Sequence, residues 1–183
     1  MGIKMALRIA LLLLFLSQAA ISRAVETIPA DTKIVLTRGQ CLGPCPVYTL
    51  VILADGKVVY NGQEFVNVFG QQEKYIPQDK VKMLLDEFEK IEFPSLEKQI
   101  SDVNNPDPDS LGDEVTSYTT DVPSTEIAFT INGKTYFAKH DGNNYEHEIF
   151  KEVDDLATFI DKTVETINWI SPPRFSEDEK LKK

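Results

Sequence analysis

VYTLVILADGKVVYN, residues 47–61, decides how the rest of the chain is read. Val47 to Leu53 is an unbroken run of apolar and β-branched side chains. That composition suits a central strand, covered on both faces or covered on one and lined by aromatics on the other. Asp55-Gly56 then gives a hairpin signal, because the favoured two-residue turn needs positive φ. Lys57 to Asn61 is the return strand. A lone hairpin is marginal in water, so further elements must cover it.

Upstream, Lys33 to Thr37 reads as a first strand, separated from the hairpin by a cysteine loop from Arg38 to Pro46. Downstream, Glu64 to Phe69 reads as a further strand or bulged extension ending at Gly70. Pro77 opens a helix whose apolar face is Val81, Leu84, Leu85, Phe88 and Ile91, and which stops before Pro94. Residues 101–114 are polar, acidic and broken by prolines, the composition of an exposed loop. Thr125 to Ile131, Asn132-Gly133 and Lys134 to Lys139 form a second hairpin. A last helix carries the stripe Ile149, Val153, Leu156, Ile160, Val164 and Ile167, with Asn143 and Glu146 as a loose capping box and Ser171-Pro172-Pro173 as its end. Hairpin followed by amphipathic helix thus occurs twice. The expected fold class is α+β: an antiparallel β-sheet with two amphipathic helices packed on one face, a two-layer sandwich.

The chain begins with Lys4 and Arg8, an apolar run from Ile9 to Leu16, and Ser22-Arg23-Ala24. This is the layout of a signal peptide cut after Ala24, and the run is shorter than the roughly 20 residues of a membrane span. The expected organisation is a signal peptide at 1–24, an N-terminal lead at 25–32, one α+β domain at 33–171 and a disordered charged tail at 172–183. Cleavage leaves 16 basic against 29 acidic residues, a net charge of −13. Such a balance argues against nucleic acid and anionic membrane surfaces, which need positive charge. It serves solubility and permits a basic partner or divalent cations.

Cys41-Leu-Gly-Pro-Cys45-Pro-Val-Tyr48 is the densest constellation in the chain. Gly43 and Pro44 turn the backbone sharply, which can bring the two cysteines within disulfide reach. In an oxidising compartment an isolated close pair is most simply a disulfide. Two other readings stand beside it. Redox exchange normally uses C-x-x-C at the start of a helix, where the dipole lowers a thiol pKa; here the spacing is longer and a strand follows. Metal binding is the third, since soft thiolates select Cu(I). C-x-x-x-C-P resembles the copper site of the Sco-type copper chaperones, with His140 or His147 to supply the imidazole, although those proteins carry the motif before a helix in a thioredoxin fold.

The opening C-x-G-x-C-P-x-Y, the apolar strand, the D-G turn, the V-V-Y return strand and the helix together resemble an uncharacterised family of secreted bacterial proteins. Thr120 to Thr125, the I-N-G-K hairpin at Ile131 to Lys134, and Trp169-Ile170 extend that resemblance over roughly residues 33–170. The family is known only as a domain of unknown function, so the resemblance implies a family label and no activity. Pro46 and Tyr48 belong to its motif with Cys41, Gly43, Pro44 and Cys45.

The remaining candidates are thinner. His140 and His147, with nearby carboxylates, lack zinc-protease spacing. Asp107, Asp109 and Gly112 resemble a calcium loop, but Leu111 and Tyr118 stand where ligands belong. No nucleophile elbow or phosphate-binding glycine loop is present. Tyr48, Tyr60, Phe88 and Trp169 are expected to pack. The reading is an exported binding or inhibitor-like module with a structural disulfide, no cofactor, and an unknown protein or small ligand as partner. The alternative is an envelope thiol protein that binds copper or exchanges disulfides through Cys41 and Cys45.

Overall fold

A computed structural model describes residues 27–104, 123–140 and 148–170. The expected signal peptide at 1–24, most of the acidic stretch 101–114, Asn143, Glu146, His147 and the expected tail at 172–183 lie outside the described residues. Six strands form one sheet: β1 (Lys33–Arg38), β2 (Val47–Leu53), β3 (Lys57–Glu64), β4 (Gly70–Tyr75), β5 (Thr125–Ile131) and β6 (Lys134–His140). Their order is β4-β3-β2-β1-β5-β6, and every neighbouring pair is antiparallel. The helices are α1 (Gln78–Lys90), α2 (Phe93–Asn104), α3 (Glu148–Thr163) and the short α4 (Ile167–Ile170). Among the described residues no helix is long and apolar enough to cross a membrane.

Alternation along the strands divides the sheet into two faces. Ile34, Leu36, Leu50, Ile52, Val58 and Ile127 are buried. They join Val81, Leu84 and Phe88 of α1, Leu96 of α2, and Val153, Leu156 and Ile160 of α3 in one core. Phe88 packs edge-on to Phe93 and against Phe129, tying both helices to β5. The other face carries half-buried Val35, Val51, Val59 and Ala128. The expected α+β class and one-sided helix layer are therefore present.

Both hairpins form where the turn residues stand. Asn132 and Gly133 have φ of 51° and 74°, the positive pair that the two-residue turn requires. The Asp55-Gly56 turn is longer than two residues. Gly56 alone has positive φ, at 84°, its amide donates to Leu53, and Asp55 accepts from the Lys57 amide.

Three local expectations differ from the structure. Glu64 to Phe69 is not a strand: β3 runs to Glu64, Phe65 turns at φ 51°, and the fourth strand begins at Gly70. GQQEKY has no apolar alternation because an edge strand has little to bury. The first helix does stop before Pro94, at Lys90, but a second helix follows where a loop was expected: Pro94 sits in the first turn of α2, where a missing N–H is tolerated, Glu92 at φ 49° makes the corner, and α2 takes up residues 101–104. The last helix is broken. α3 ends at Thr163, Glu165 has φ of 54°, and α4 turns so that Trp169 stacks on Tyr60 at 4.8 Å.

Candidate functional site

Sheet register places Tyr48 opposite Arg38, Arg38 opposite Thr125, and Thr125 opposite His140. Four strand ends thus contribute one transverse row on the face that α3 covers. α3 projects Asp154 and Asp161, two turns apart, towards that row. Arg38 Nη1 donates to Asp154 Oδ1 at 3.0 Å, and its Nη2 lies 3.4 Å from Asp161 Oδ2. The Tyr48 hydroxyl donates to Asp161 Oδ2 at 2.7 Å. Thr125 accepts from Arg38 at 3.0 Å and donates to Asp154 at 2.7 Å. His140 Nε2 lies 3.2 Å from Asp154 Oδ1.

Burial sets the electrostatics. Tyr48 is 2 % exposed, and burial followed by the Asp161 charge drives its phenol far above its ordinary range. Burial also raises Asp161, outweighing the Arg38 charge and the Tyr48 hydrogen bond. Burial pushes Asp154 the same way, but hydrogen bonds from His140 and Thr125, with the His140 and Arg38 charges, bring it below its ordinary value. Arg38 is held charged: burial opposes its charge, but Asp161, Tyr48 and Asp154 outweigh that penalty. A phenol raised this far stays protonated: it is a hydrogen-bond donor and a poor acid. The donors of Arg38, Tyr48 and Thr125 engage the two carboxylates, so the row fastens α3 to the strand ends.

The cysteine loop lies at the same end of the sheet. Cys41 and Cys45 form a disulfide with Cα atoms 5.8 Å apart. Beyond β1, Gly39 donates to the Ser124 carbonyl at 2.8 Å and the Gln40 amide side chain reaches Glu64 at 3.1 Å. The loop is therefore anchored beside the row while its tip projects: Gly43 and Pro44 are exposed, Pro46 is half-buried and Leu42 is 74 % exposed. Of the residues singled out from sequence, Cys41 and Cys45 are brought together and Tyr48 joins the buried row. His140 joins the same row beside Asp154, and His147 lies outside the described residues. Among the described residues no group of three or more His, Cys, Asp or Glu side chains is arranged to hold a metal ion. Sequence reading missed Arg38, Thr125, Asp154 and Asp161. The only local trace was an arginine closing a strand with an apolar middle and two acids spaced by seven on a helix.

On the opposite face, register aligns Val59, Val51, Val35, Ala128 and Phe137 across five strands. Phe137 is 45 % exposed. A separate groove of about 1050 Å³ opens at the far end of the sheet, between α1, the start of α2 and the β5–β6 turn, with Leu85, Phe129, Ile131 and Tyr136 in its lining.

Sheet, loop and row together define an α+β domain with an open six-stranded antiparallel sheet and a disulfide-closed β1–β2 connection. The chain belongs to the family described as domain of unknown function DUF6438, which matches residues 32–164. No curated protein matches it.

Proposed function

We propose that the protein is exported and acts as a non-enzymatic binding module, presenting its open sheet face and the Cys41–Cys45 loop to a protein or small ligand. The observation that carries this reading is the division of labour between the two faces. The polar groups of the covered face engage one another beneath α3, whereas the open face holds an apolar row from Val59 to Phe137, and exposed Leu42 stands on a pinned loop. A contiguous apolar row of this kind, half-buried along its length and exposed at Phe137, suits an interaction site. The basic, apolar and small-residue layout of positions 1–24 supports export, and a disulfide suits an oxidising compartment. A net charge of −13 after cleavage favours a basic partner.

The first test is chemical. Protein purified from an oxidising compartment should contain two unreactive cysteines and no stoichiometric copper or zinc; two free thiols with bound metal would overturn the reading in favour of a thiol-metal protein. The second is binding. Partners retained from an envelope extract by the unaltered protein should be lost by Leu42→Asp and Phe137→Asp variants of unchanged thermal stability. Hydrolytic turnover by the purified protein would contradict the non-enzymatic assignment.

A further inference from the structure

The sheet has two edges, and they are not equivalent. At β6 the Phe137 amide donates to Glu97 of α2 at 2.8 Å, so a helix side chain engages that rim. β4 is the terminal strand on the other side, and among the described residues no strand pairs with its outer rim. Open edges are ordinarily guarded by projecting charge, proline or a bulge. β4 has no proline, and its two charges are drawn back onto the protein. Glu73 is held by Lys57 at 2.9 Å and by Gln71 at 3.0 Å. The Lys74 ammonium lies over the Trp169 ring, 4.7 Å from its centre. At the two ends of the strand stand Phe69 and Tyr75, 66 % and 68 % exposed.

We propose that β4 is a self-association edge. Two copies pair β4 to β4, antiparallel, about a two-fold axis at Gln72, and the two six-stranded sheets become one continuous sheet. The register follows by elimination. A two-fold along the sheet normal sets each residue opposite one whose side chain shares its face. Centred on Glu73 or Lys74, it brings like charges directly opposite each other, which is destabilising. Centred on Gln71, it leaves Lys74 and Tyr75 unpaired. Centred on Gln72, it sets Gln71 opposite Glu73 of the second copy, an amide facing a carboxylate. It sets Gly70 opposite Lys74, and brings Phe69 at one end alongside Tyr75 of the second copy, twice by symmetry. The open faces of both copies then lie on the same side, so the dimer presents that face twice. The proposal is independent of what the face binds.

Sedimentation velocity on the intact mature protein, at concentrations up to about 1 mM, reads the association directly. A reversible dimer is expected. Tyr75→Lys alters an exposed side chain and should weaken it roughly tenfold, by loss of two aromatic contacts, without changing thermal stability. Nitroxide labels at Thr135→Cys on β6, with the native disulfide intact, give the geometry. Eleven inter-strand spacings separate the two β6 strands of a continuous sheet, so a distance of about 50 Å is expected. A monomer at every concentration, a dimer whose β6 labels lie within about 30 Å as face-to-face stacking would place them, or unchanged dissociation of Tyr75→Lys would each overturn the proposal.

Discussion

Replacing Tyr48 by Phe removes one oxygen from the covered row and little else. The ring is 2 % exposed and packs against Tyr60 at 5.8 Å, so Phe keeps the shape and the apolar contacts. What is lost is the 2.7 Å hydrogen bond to Asp161 Oδ2, whose other donor, Arg38, stands at 3.4 Å. A hydrogen bond to a charged acceptor contributes about 1.5–3 kcal/mol, and a site this enclosed gives water little room to replace it. A loss of about 2 kcal/mol is therefore expected at neutral pH. With a urea m-value of about 2 kcal/mol/M, the unfolding midpoint falls by about 1 M with m unchanged. The pH dependence has a definite sign. Burial raises the folded-state pKa of Asp161 above the ordinary 3.8, so its protonated form is favoured in the fold. Its contribution to stability is complete below 3.8 and is lost as pH rises through the raised folded value. Tyr48 limits that loss by supporting the ionised carboxylate. The difference between Tyr48→Phe and the unaltered protein should thus be greatest above the folded value and shrink as pH falls towards 4. Equal midpoints at neutral pH, or a difference that does not change with pH, would refute the role assigned to this hydrogen bond.

Other variants probe the same architecture. Arg38→Met leaves Asp154 and Asp161 without the cation they share and should cost about 3 kcal/mol; Asp161→Asn added in that background should restore part of the loss, measured by urea unfolding at neutral pH. The Cys41→Ser, Cys45→Ser double variant opens a five-residue loop and should lose about 2 kcal/mol on the chain-entropy estimate, with the far-ultraviolet circular dichroism spectrum retained. Phe88→Ala removes a side chain 1 % exposed that touches both Phe93 and Phe129, and should cost about 4 kcal/mol by the same unfolding assay.

What the sequence determined by itself was whatever short-range physics enforces. Asn132, Gly133 and Gly56 adopt positive φ cheaply, so both hairpins were legible, as were the amphipathic faces of α1 and α3 and the short span from Cys41 to Cys45. The one-sided helix layer followed from those faces. The third helix was hidden because Pro94 looks the same after one helix as at the start of another. β4 was hidden because GQQEKY, at an edge, buries too little to alternate. The covered row was beyond any local pattern. Tyr48, Arg38, Thr125 and His140 belong to four strands and meet only through inter-strand register, and Asp154 and Asp161 reach them only because α3 crosses those strand ends. Pairing register is a long-range property: a one-residue slip would turn each of these side chains to the opposite face. The tertiary structure alone could decide it.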